Sequence, residues 1–542
     1  MNFPRVFAAG LAVLLLGSAV PPARALEKWV YLAQNLLVEE NVARVEVLFQ
    51  RVAAAGYTHV LLSDSKFARL GEMDERYFRN VERVKKAAAA ARLEIVPALF
   101  PIGYSNDILS LDPNLIEAMP VRDLPMVVKG GVAQLEGGRK TLLDGGDFSD
   151  LKRWFWRDDN VVPDSGAARI DANGANGRIV QKLKLTPFRQ YHLSVRIKTA
   201  GVQGAKVEAK VLTGDGAQLN GDDLGVAATQ DWQTHHVVFN SQRFDSAQLY
   251  LGVWGATEGS IWIDDASLEE VAFVNLVRRP GCPLVVRRDD GGVLVEGRDY
   301  QELRDPGLGV NPWPGEYDTY HEPPALRTNL PDEAKLRVSY FHGATVNSHQ
   351  AMICPSEPKT YELLRDQARR MHATWGASGY MMSHDEIRTL NWCDACQRRK
   401  LTPGEIIADN VKRCIDILNE VNPKGRIYVW SDMFDPNHNA TAGPYYLVNG
   451  DLRGSWEGLD SGVIILPWYF EKRAESLRFF AERGHRQIIA GYYDSDPRRI
   501  IDWMNAAQST PKSVTGVMFT TWQNNYSDLE AFMSAVKESE AK

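Results

Sequence analysis

Residues 28–64 read KWVYLAQNLLVEENVARVEVLFQRVAAAGYTHVLLSD, and the pattern in this stretch decides the fold. Trp29-Val30-Tyr31-Leu32-Ala33 is an apolar run of strand length. Val42, Val45, Leu48 and Val52 then recur at helical spacing, which predicts an amphipathic helix. Gly56 ends it, and His59-Val60-Leu61-Leu62 follows as a second strand. Tyr77, Val81 and Val84 mark another helix, and Leu93 to Leu99 form a third strand. Repeated β-α-β units with short connections require parallel strands.

Downstream the rhythm breaks and then returns. From about Leu142 to Val271 the pattern is all-β, with clean alternation in Tyr191 to Ile197 and in Ser260 to Asp264 and turn residues between. Short strands of this kind predict a β-sandwich. Residues 272–335 are rich in Pro, Gly and charge and are expected to be long loops. Tyr361, Leu364, Ala368, Met371 and Trp375 form a helical stripe, and Gly379 to Ser383 a strand. Thr402-Pro403-Gly404-Glu405 opens the next helix as a capping box. Strands follow at Arg426 to Trp430, Val463 to Trp468, Gln487 to Tyr493 and Val517 to Trp522. Three strands before the insert and five after it predict an α/β fold, a (β/α)8 TIM barrel carrying an inserted all-β sandwich domain. A doubly wound sheet is the alternative, but no Gly-rich phosphate loop follows the first strand. The expected division is 1–25 a signal peptide, 26–141 the first barrel part, 142–271 the sandwich, 272–335 loops and 336–542 the second barrel part.

The 542 residues carry 62 Lys and Arg against 69 Asp and Glu, a net charge of −7, with basic residues interspersed among acidic ones. No basic footprint for nucleic acid or a membrane surface is present. Arg5, the apolar run Val6 to Val20 and Ala23-Arg24-Ala25 read as a cleavable secretory signal, so the expected location is secreted or periplasmic, with no membrane attachment after cleavage. Five cysteines are too few for a disulfide framework in a chain of this length.

In a barrel the chemistry lies at the C-terminal ends of the strands. Those ends here carry Gln34 and Asn35, Asp64, Tyr104, His384-Asp385-Glu386, Trp430 with Asp432, Trp468 with Tyr469, Tyr492-Tyr493-Asp494, and Trp522. Carboxylates and aromatic rings suit a sugar: rings stack on C–H faces, carboxylates accept from hydroxyls, and one protonated carboxyl can act on a glycosidic oxygen. Asp385-Glu386 is the sharpest feature. Adjacent anionic carboxylates repel, and partial burial raises the pKa of one, making it a general acid. The plainer reading of an Asp-Glu pair is a helix N-terminus stabilised by acidic residues.

Four stretches resemble the catalytic barrel of family 20 glycoside hydrolases, the β-N-acetylhexosaminidases. They are Thr58 to Asp64; Glu94 to Pro97 with Pro101 to Ser105; Cys354 to Tyr361; and Ser383-His384-Asp385-Glu386. The resemblance implies Glu386 as general acid/base and Asp385 as the residue orienting a 2-acetamido group, whose oxygen attacks the anomeric carbon. It further implies Trp430, Trp468 and Trp522 as walls of the acetamido pocket, and Tyr493 and Asp494 as contacts to the acetamido oxygen and a hydroxyl. Asp64, His384 and Asp432 complete the expected substrate-binding set. Gln34 and Asn35 stand where that family has an Arg, Tyr104 replaces a His and His384 a Gly. The sandwich resembles carbohydrate-binding modules of the family 4/9 type through Gly145-Gly146-Asp147-Phe148 and Gly259 to Leu268, with Trp154, Trp156, Trp232 and Trp254 as candidate platforms.

The expected partner is a carbohydrate or polysaccharide. The expected activity is cleavage of β-linked N-acetylhexosamine, with another barrel glycosidase using Asp432 or Asp494, or a non-catalytic polysaccharide-binding protein, as alternatives. No cofactor is expected, apart from Asp264-Asp265, which either hold a structural Ca2+ or end a strand. Cys393-x-x-Cys396 follows Glu386 too closely to form a deaminase zinc centre with His384. A disulfide or two free thiols is the expected state, with no metal ligands. Processing is checked directly: N-terminal sequencing of exported material should begin at Leu26, and an intact Met1 would refute the signal reading.

Overall fold

A computed structural model describes residues 26–541 other than Asp222, Ser348 and Pro511; the expected signal segment lies outside the described residues. Eight parallel strands close into a barrel: Glu27–Ala33, His59–Ser63, Glu94–Leu99, Gly379–Met382, Arg426–Trp430, Ile464–Leu466, Gln487–Ile489 and Val514–Phe519. Closure is made by the first strand, where Trp29 lies opposite His59 on one side and Met518 on the other.

Helices Glu39–Ala55, Glu75–Ala91, Pro358–Trp375, Pro403–Val421, Arg473–Glu482, Arg499–Ala507 and Leu529–Glu540 alternate with the strands. The fifth-to-sixth link runs instead through the 3-10 turns Asp432–Phe434 and Ser455–Gly458. The capping box forms, with Glu405 N donating to Thr402 Oγ1 at 3.2 Å and Thr402 N donating to Glu405 Oε2 at 2.8 Å.

Alternation sorts the strand residues into two cores. Trp29, Leu61, Val96, Ala98, Met381, Tyr428, Trp430, Ile464, Leu466, Ile488, Ala490 and Met518 fill the barrel interior. Their neighbours Val30, Leu32, Val60, Leu62, Met382, Val429, Ile465, Ile489, Val517 and Phe519 pack outward against the helices. Both sets are apolar because a parallel strand in a barrel is covered on both faces.

The excursion between the third and fourth strands is larger than one sandwich. Sheets ordered 230–240, 190–203, 258–271, 167–171, 161–164 and 207–212, 246–253, 177–184, 156–157 share one apolar core that includes Leu193, Ile197, Ile261, Ile179 and Leu249. A further antiparallel sheet unites Leu276–Val277, Lys335–Gly343, Ala118–Lys129 and Val132–Leu135, with Val285–Arg288 also paired to Lys335–Gly343. It has its own core of Val121, Leu124, Met126, Val338 and Tyr340.

Two expected boundaries are therefore corrected. Residues 118–135 are not barrel, and 272–335 are not only loops. The strand beginning at Lys335 is not the resumption of the barrel. The alternation Leu336, Val338, Tyr340 belongs to a one-sided antiparallel strand. Its partner was obscured by Pro120, Pro125 and a kink at Asp123, whose φ is +48°, where the register shifts.

Buried polar contacts tie the sandwich to this sheet. Asn240 Nδ2 donates to Pro120 O at 3.0 Å and lies 3.0 Å from His342 Nε2. Gln190 Nε2 donates to Val274 O at 2.9 Å, and Tyr340 OH to Gln190 Oε1 at 3.2 Å. Asn240→Ala should lower the stability of the full chain by about 1–3 kcal/mol, because it strands buried partners. A denaturant midpoint equal to wild type would show that this junction contributes nothing.

Candidate active site

A cavity of about 560 Å3 opens at the C-terminal end of the barrel. Strand parity dictates which side chains reach it. Following the inward series along the strands and past their ends places Tyr31, Ser63, Ser383, Asp385, Trp430, Trp468 and Trp522 on its wall. Tyr31 lies 6.0 Å from Trp430 and 5.4 Å from Trp522, while Trp522 lies 5.8 Å from Trp430 and 6.3 Å from Trp468. These four rings form one continuous aromatic wall. Tyr31 was not among the expected site residues, although it has the parity of Trp29, the inward-facing ring two residues earlier.

Asp385 and Glu386 follow the fourth strand. Asp385 opens on the cavity. Burial, followed by the charges of Asp432 and Glu386, pushes its carboxyl up to about 8. Asp432 sits behind the pair, fully buried, and burial pushes it up to about 6. Its Oδ2 accepts from Glu386 N at 2.8 Å and Asn439 Nδ2 at 3.0 Å, and its Oδ1 from Trp468 Nε1 at 3.3 Å. This bracket holds Glu386 at a φ of +50°, in the left-handed region. The opposite side is closed by Gly103, where a Cβ would stand 1.7 Å from Asp385 O, so no other residue fits there.

Glu386 projects between two partners. Its Oε1 pairs with Arg388 Nη2 at 2.6 Å, and Tyr104 OH donates to its Oε2. Arg388 is buried and also donates to Gln350 Oε1. Gln350 Nε2 in turn donates to Gly103 O at 2.8 Å and Glu386 O at 3.1 Å. Arg388 and Gln350 carried no motif, and only the fold brings them to the pair. Tyr104, noted in the sequence as a strand-end residue, supplies the second contact to Glu386.

The remaining expected residues separate. Asp64 lines the cavity, but its oxygens accept from Leu36 N at 3.2 Å, Tyr77 OH at 2.7 Å and Lys66 N at 3.0 Å. Asp107, missed in the sequence, also lines the cavity, and burial pushes it up to about 6. His384 has outward parity. It is buried and meets Asn410 Oδ1 at 3.0 Å on the following helix. Tyr493 is likewise outward, fully buried against Phe519 and Phe532. The expected substrate contacts of His384 and Tyr493 are therefore corrected to packing positions, and Tyr492, stacked 6.4 Å from Trp522, takes the inward place. Asp494 accepts from Thr521 Oγ1, from Trp522 N at 2.8 Å and from Gln523 N at 3.3 Å, so it orients Trp522.

On the sandwich, Trp154 is core, stacked on Phe148, whereas Trp156, Trp232 and Trp254 lie beside Arg178, Arg196 and Lys210. Asp265 pairs with Arg196 at 2.8 Å, and Asp264 Oδ1 accepts from Asp265 N. Among the described residues no helix is long and apolar enough to cross a membrane.

No protein-family model matches the chain, and no curated protein matches it. Solved structures with local likeness include a family 4 carbohydrate-binding module, 17% identical over 24% of this chain and 99% of that one, with a TM-score of 0.20. A rhamnosidase from Novosphingobium sp. PP1Y is 10% identical over 92% of this chain and 55% of that one, with a TM-score of 0.30. A β-N-acetylhexosaminidase from Bacteroides fragilis NCTC 9343 is 12% identical over 35% and 42%, with a TM-score of 0.26. The chain thus spans about half the length of each enzyme.

The raised Asp385 gives a pH dependence with a definite sign. The folded chain keeps a proton that the unfolded chain loses near pH 3.8, so stability falls as pH rises from there to about 8. Asp385→Asn removes this loss. The variant should gain stability over the parent through that window, with the full gain present above about pH 8. Parallel melts at acid, neutral and alkaline pH check it, and a pH-independent difference would mean that Asp385 is ionised in the folded chain.

Proposed function

We propose that the chain is a glycoside hydrolase that cleaves a β-linked N-acetylhexosamine with help from the substrate's own acetamide. The observation that carries this reading is the pairing of two adjacent carboxyls, Asp385 and Glu386, with a cavity walled by Tyr31, Trp430, Trp468 and Trp522. Aromatic faces suit the C–H faces of a sugar ring and the methyl of an acetamide, and the carboxyls supply proton transfer and amide orientation.

In this mechanism the acetamide oxygen bonds to the anomeric carbon as the glycosidic C–O bond breaks. Glu386 gives its proton to the departing oxygen, and Asp385 accepts from the acetamide N–H. Water then opens the cyclic intermediate, returning its proton to Glu386. No enzyme nucleophile is needed. Asp432 is buried behind the pair and Asp494 is turned to Thr521 and Trp522, and neither lines the cavity, which favours this route over a conventional double displacement.

One observation favours a variant reading with the roles exchanged: burial raises the Asp385 carboxyl, which favours its protonated form, while Glu386 is ion-paired with Arg388.

Leaving-group dependence separates the two. Glu386→Gln should lower kcat/KM by about 10²–10⁴-fold on aryl glycosides with poor leaving groups and much less on those with acidic ones. Asp385→Asn should depress all N-acetyl substrates alike. The opposite pattern assigns the acid to Asp385. Equal turnover of substrates carrying hydroxyl in place of acetamide would refute substrate assistance, and binding without any turnover would refute the hydrolase reading.

A further inference from the structure

Behind the loop that carries Asp385 and Glu386, four buried cysteines gather from three parts of the chain. Cys354 Sγ lies 3.5 Å from Cys393 Sγ and 3.7 Å from Cys396 Sγ. Glu117 Oε2 stands 3.7 Å from Cys393 Sγ and 3.6 Å from Cys396 Sγ. These four atoms all lie within 4.8 Å of one another, and the buried Cys282 stands beside the group. A tetrahedral zinc ion with Zn–S of about 2.3 Å and Zn–O of about 2.0–2.2 Å sets its ligand atoms about 3.5–3.8 Å apart. The separations found are close to these.

A second observation points the same way. Arg279 is 4% exposed; its Nε pairs with Glu357 at 2.9 Å and its Nη1 donates to Asn114 O and Ile116 O at 2.8 and 2.7 Å. Its Nη2 is buried with no partner among the described residues, and the groups facing its charge include Cys354, Cys282, Cys393 and Glu117. A buried N–H without an acceptor is costly. Thiolate sulfurs would accept from it, and an anionic metal-thiolate cluster would balance the guanidinium.

The backbone is built for convergence. Cys393 caps the short helix Asp394–Gln397, so Cys396 falls in its first turn. Glu117 Oε1 accepts from Trp392 N at 2.8 Å and Cys393 N at 3.2 Å. Asp394 N donates to Gly281 O at 3.0 Å, and a Cβ on Gly281 would stand 2.1 Å from Glu357 Oε1, so the segment bearing Cys282 is pressed against the Cys-x-x-Cys turn. The Sγ separations of 3.5 and 3.7 Å about Cys354 are non-bonded, and a single metal ion engages all three thiolates together.

We propose that this cluster binds one zinc ion. The thiolates of Cys354, Cys393 and Cys396 are three ligands, and the fourth comes from Cys282 or Glu117. Each coordinating thiol releases its proton to solvent on binding. Four protein ligands leave no open position, so the ion is structural. It staples the segment before the barrel's fourth helix-strand unit, the antiparallel sheet and the loop bearing the proposed catalytic pair. The pair Cys393-x-x-Cys396 offered only half of this set in the sequence, and the fold supplies Cys354, Cys282 and Glu117.

The test is the metal content of the full chain purified from zinc-supplemented cells. About one zinc per chain is expected. Cys354→Ser and Cys393→Ser should each lose it, and Cys414→Ser, a buried cysteine outside the cluster, should keep it. The fourth ligand is the member of Cys282→Ser and Glu117→Gln that loses metal. Should variants fail to fold, the wild-type chain still decides. A mercurial thiol reagent should release zinc in step with thiol modification, and the cobalt-substituted chain should show thiolate-to-cobalt charge transfer and tetrahedral d–d bands. The proposal is overturned if the reduced chain takes up no zinc anaerobically, or if mass analysis of the purified chain finds these cysteines joined in disulfides.

Discussion

Barrel closure is the constraint on which everything else depends. Strand one must pair with strand two and strand eight at once, and it does so through Trp29, Val30 and their neighbours. Once the sheet is closed, each residue on a strand is either inside or outside, with a period of two. Trp29 stacks on His59 at 4.5 Å and meets Tyr428 edge-on at 5.2 Å, which fills the lower interior. The same parity, along the strands and past their ends, delivers Tyr31, Asp385, Trp430, Trp468 and Trp522 to one cavity and His384 and Tyr493 to the helix layer.

The two ends of the barrel handle buried charge in opposite ways. At the N-terminal end Arg426 pairs with Glu27 at 2.9 Å and with Glu94, and His59 lies 3.4 Å from Glu94. His59 and then Ser378 and Arg426 hold Glu94 down to about 2, so charge meets charge. At the C-terminal end lie three carboxyls, Asp385, Glu386 and Asp432, and Arg388 takes Glu386. The others are left to burial and mutual repulsion, and there a proton substitutes for a counter-ion. Carboxyls are raised where cations are withheld and lowered where cations are supplied.

How much of this was legible follows from the range of the signals. The eight strands and their order were readable because each is a local apolar run, most of them flanked by helical stripes. Three of the four rings of the aromatic wall were readable: Trp430, Trp468 and Trp522 stand at strand ends, but Tyr31 lies within a strand and shows its direction only through parity. His384 was assigned by its place beside the carboxyl pair and Tyr493 through the resemblance, and counting in twos from Met381 and Ile488 separates them from Asp385 and Tyr492. The antiparallel sheet was not readable. Its strands pair across more than 200 residues, as Lys335 does with Val127, and two prolines interrupt one of them. Arg388, Gln350 and the companions of Cys393 and Cys396 were invisible for the same reason, since only long-range pairing places them.

That excursion between strands three and four does more than carry a sandwich. Its entry and exit run antiparallel: Ser105 N donates to Ala351 O at 2.8 Å, Glu117 N to Met352 O and Cys354 N to Leu115 O, both at 2.7 Å. The ends of the long loop are thus closed by a short ladder at the barrel rim. Loop-closure entropy grows only slowly with length, so a ladder of this kind lets a large insert leave and return at little added cost. The ladder also places the residues that grip the strand-four loop. Gln350 on the exit holds Glu386 O, Gly103 on the entry abuts Asp385 O, and Glu117 on the entry holds the peptide N–H groups of Trp392 and Cys393. With Asp432 taking Glu386 N from the far side, the strained backbone of the carboxyl pair is fixed from both sides by elements that are themselves zipped together. The geometry of the site therefore follows from how the chain leaves the barrel and comes back, and not from the fourth strand alone.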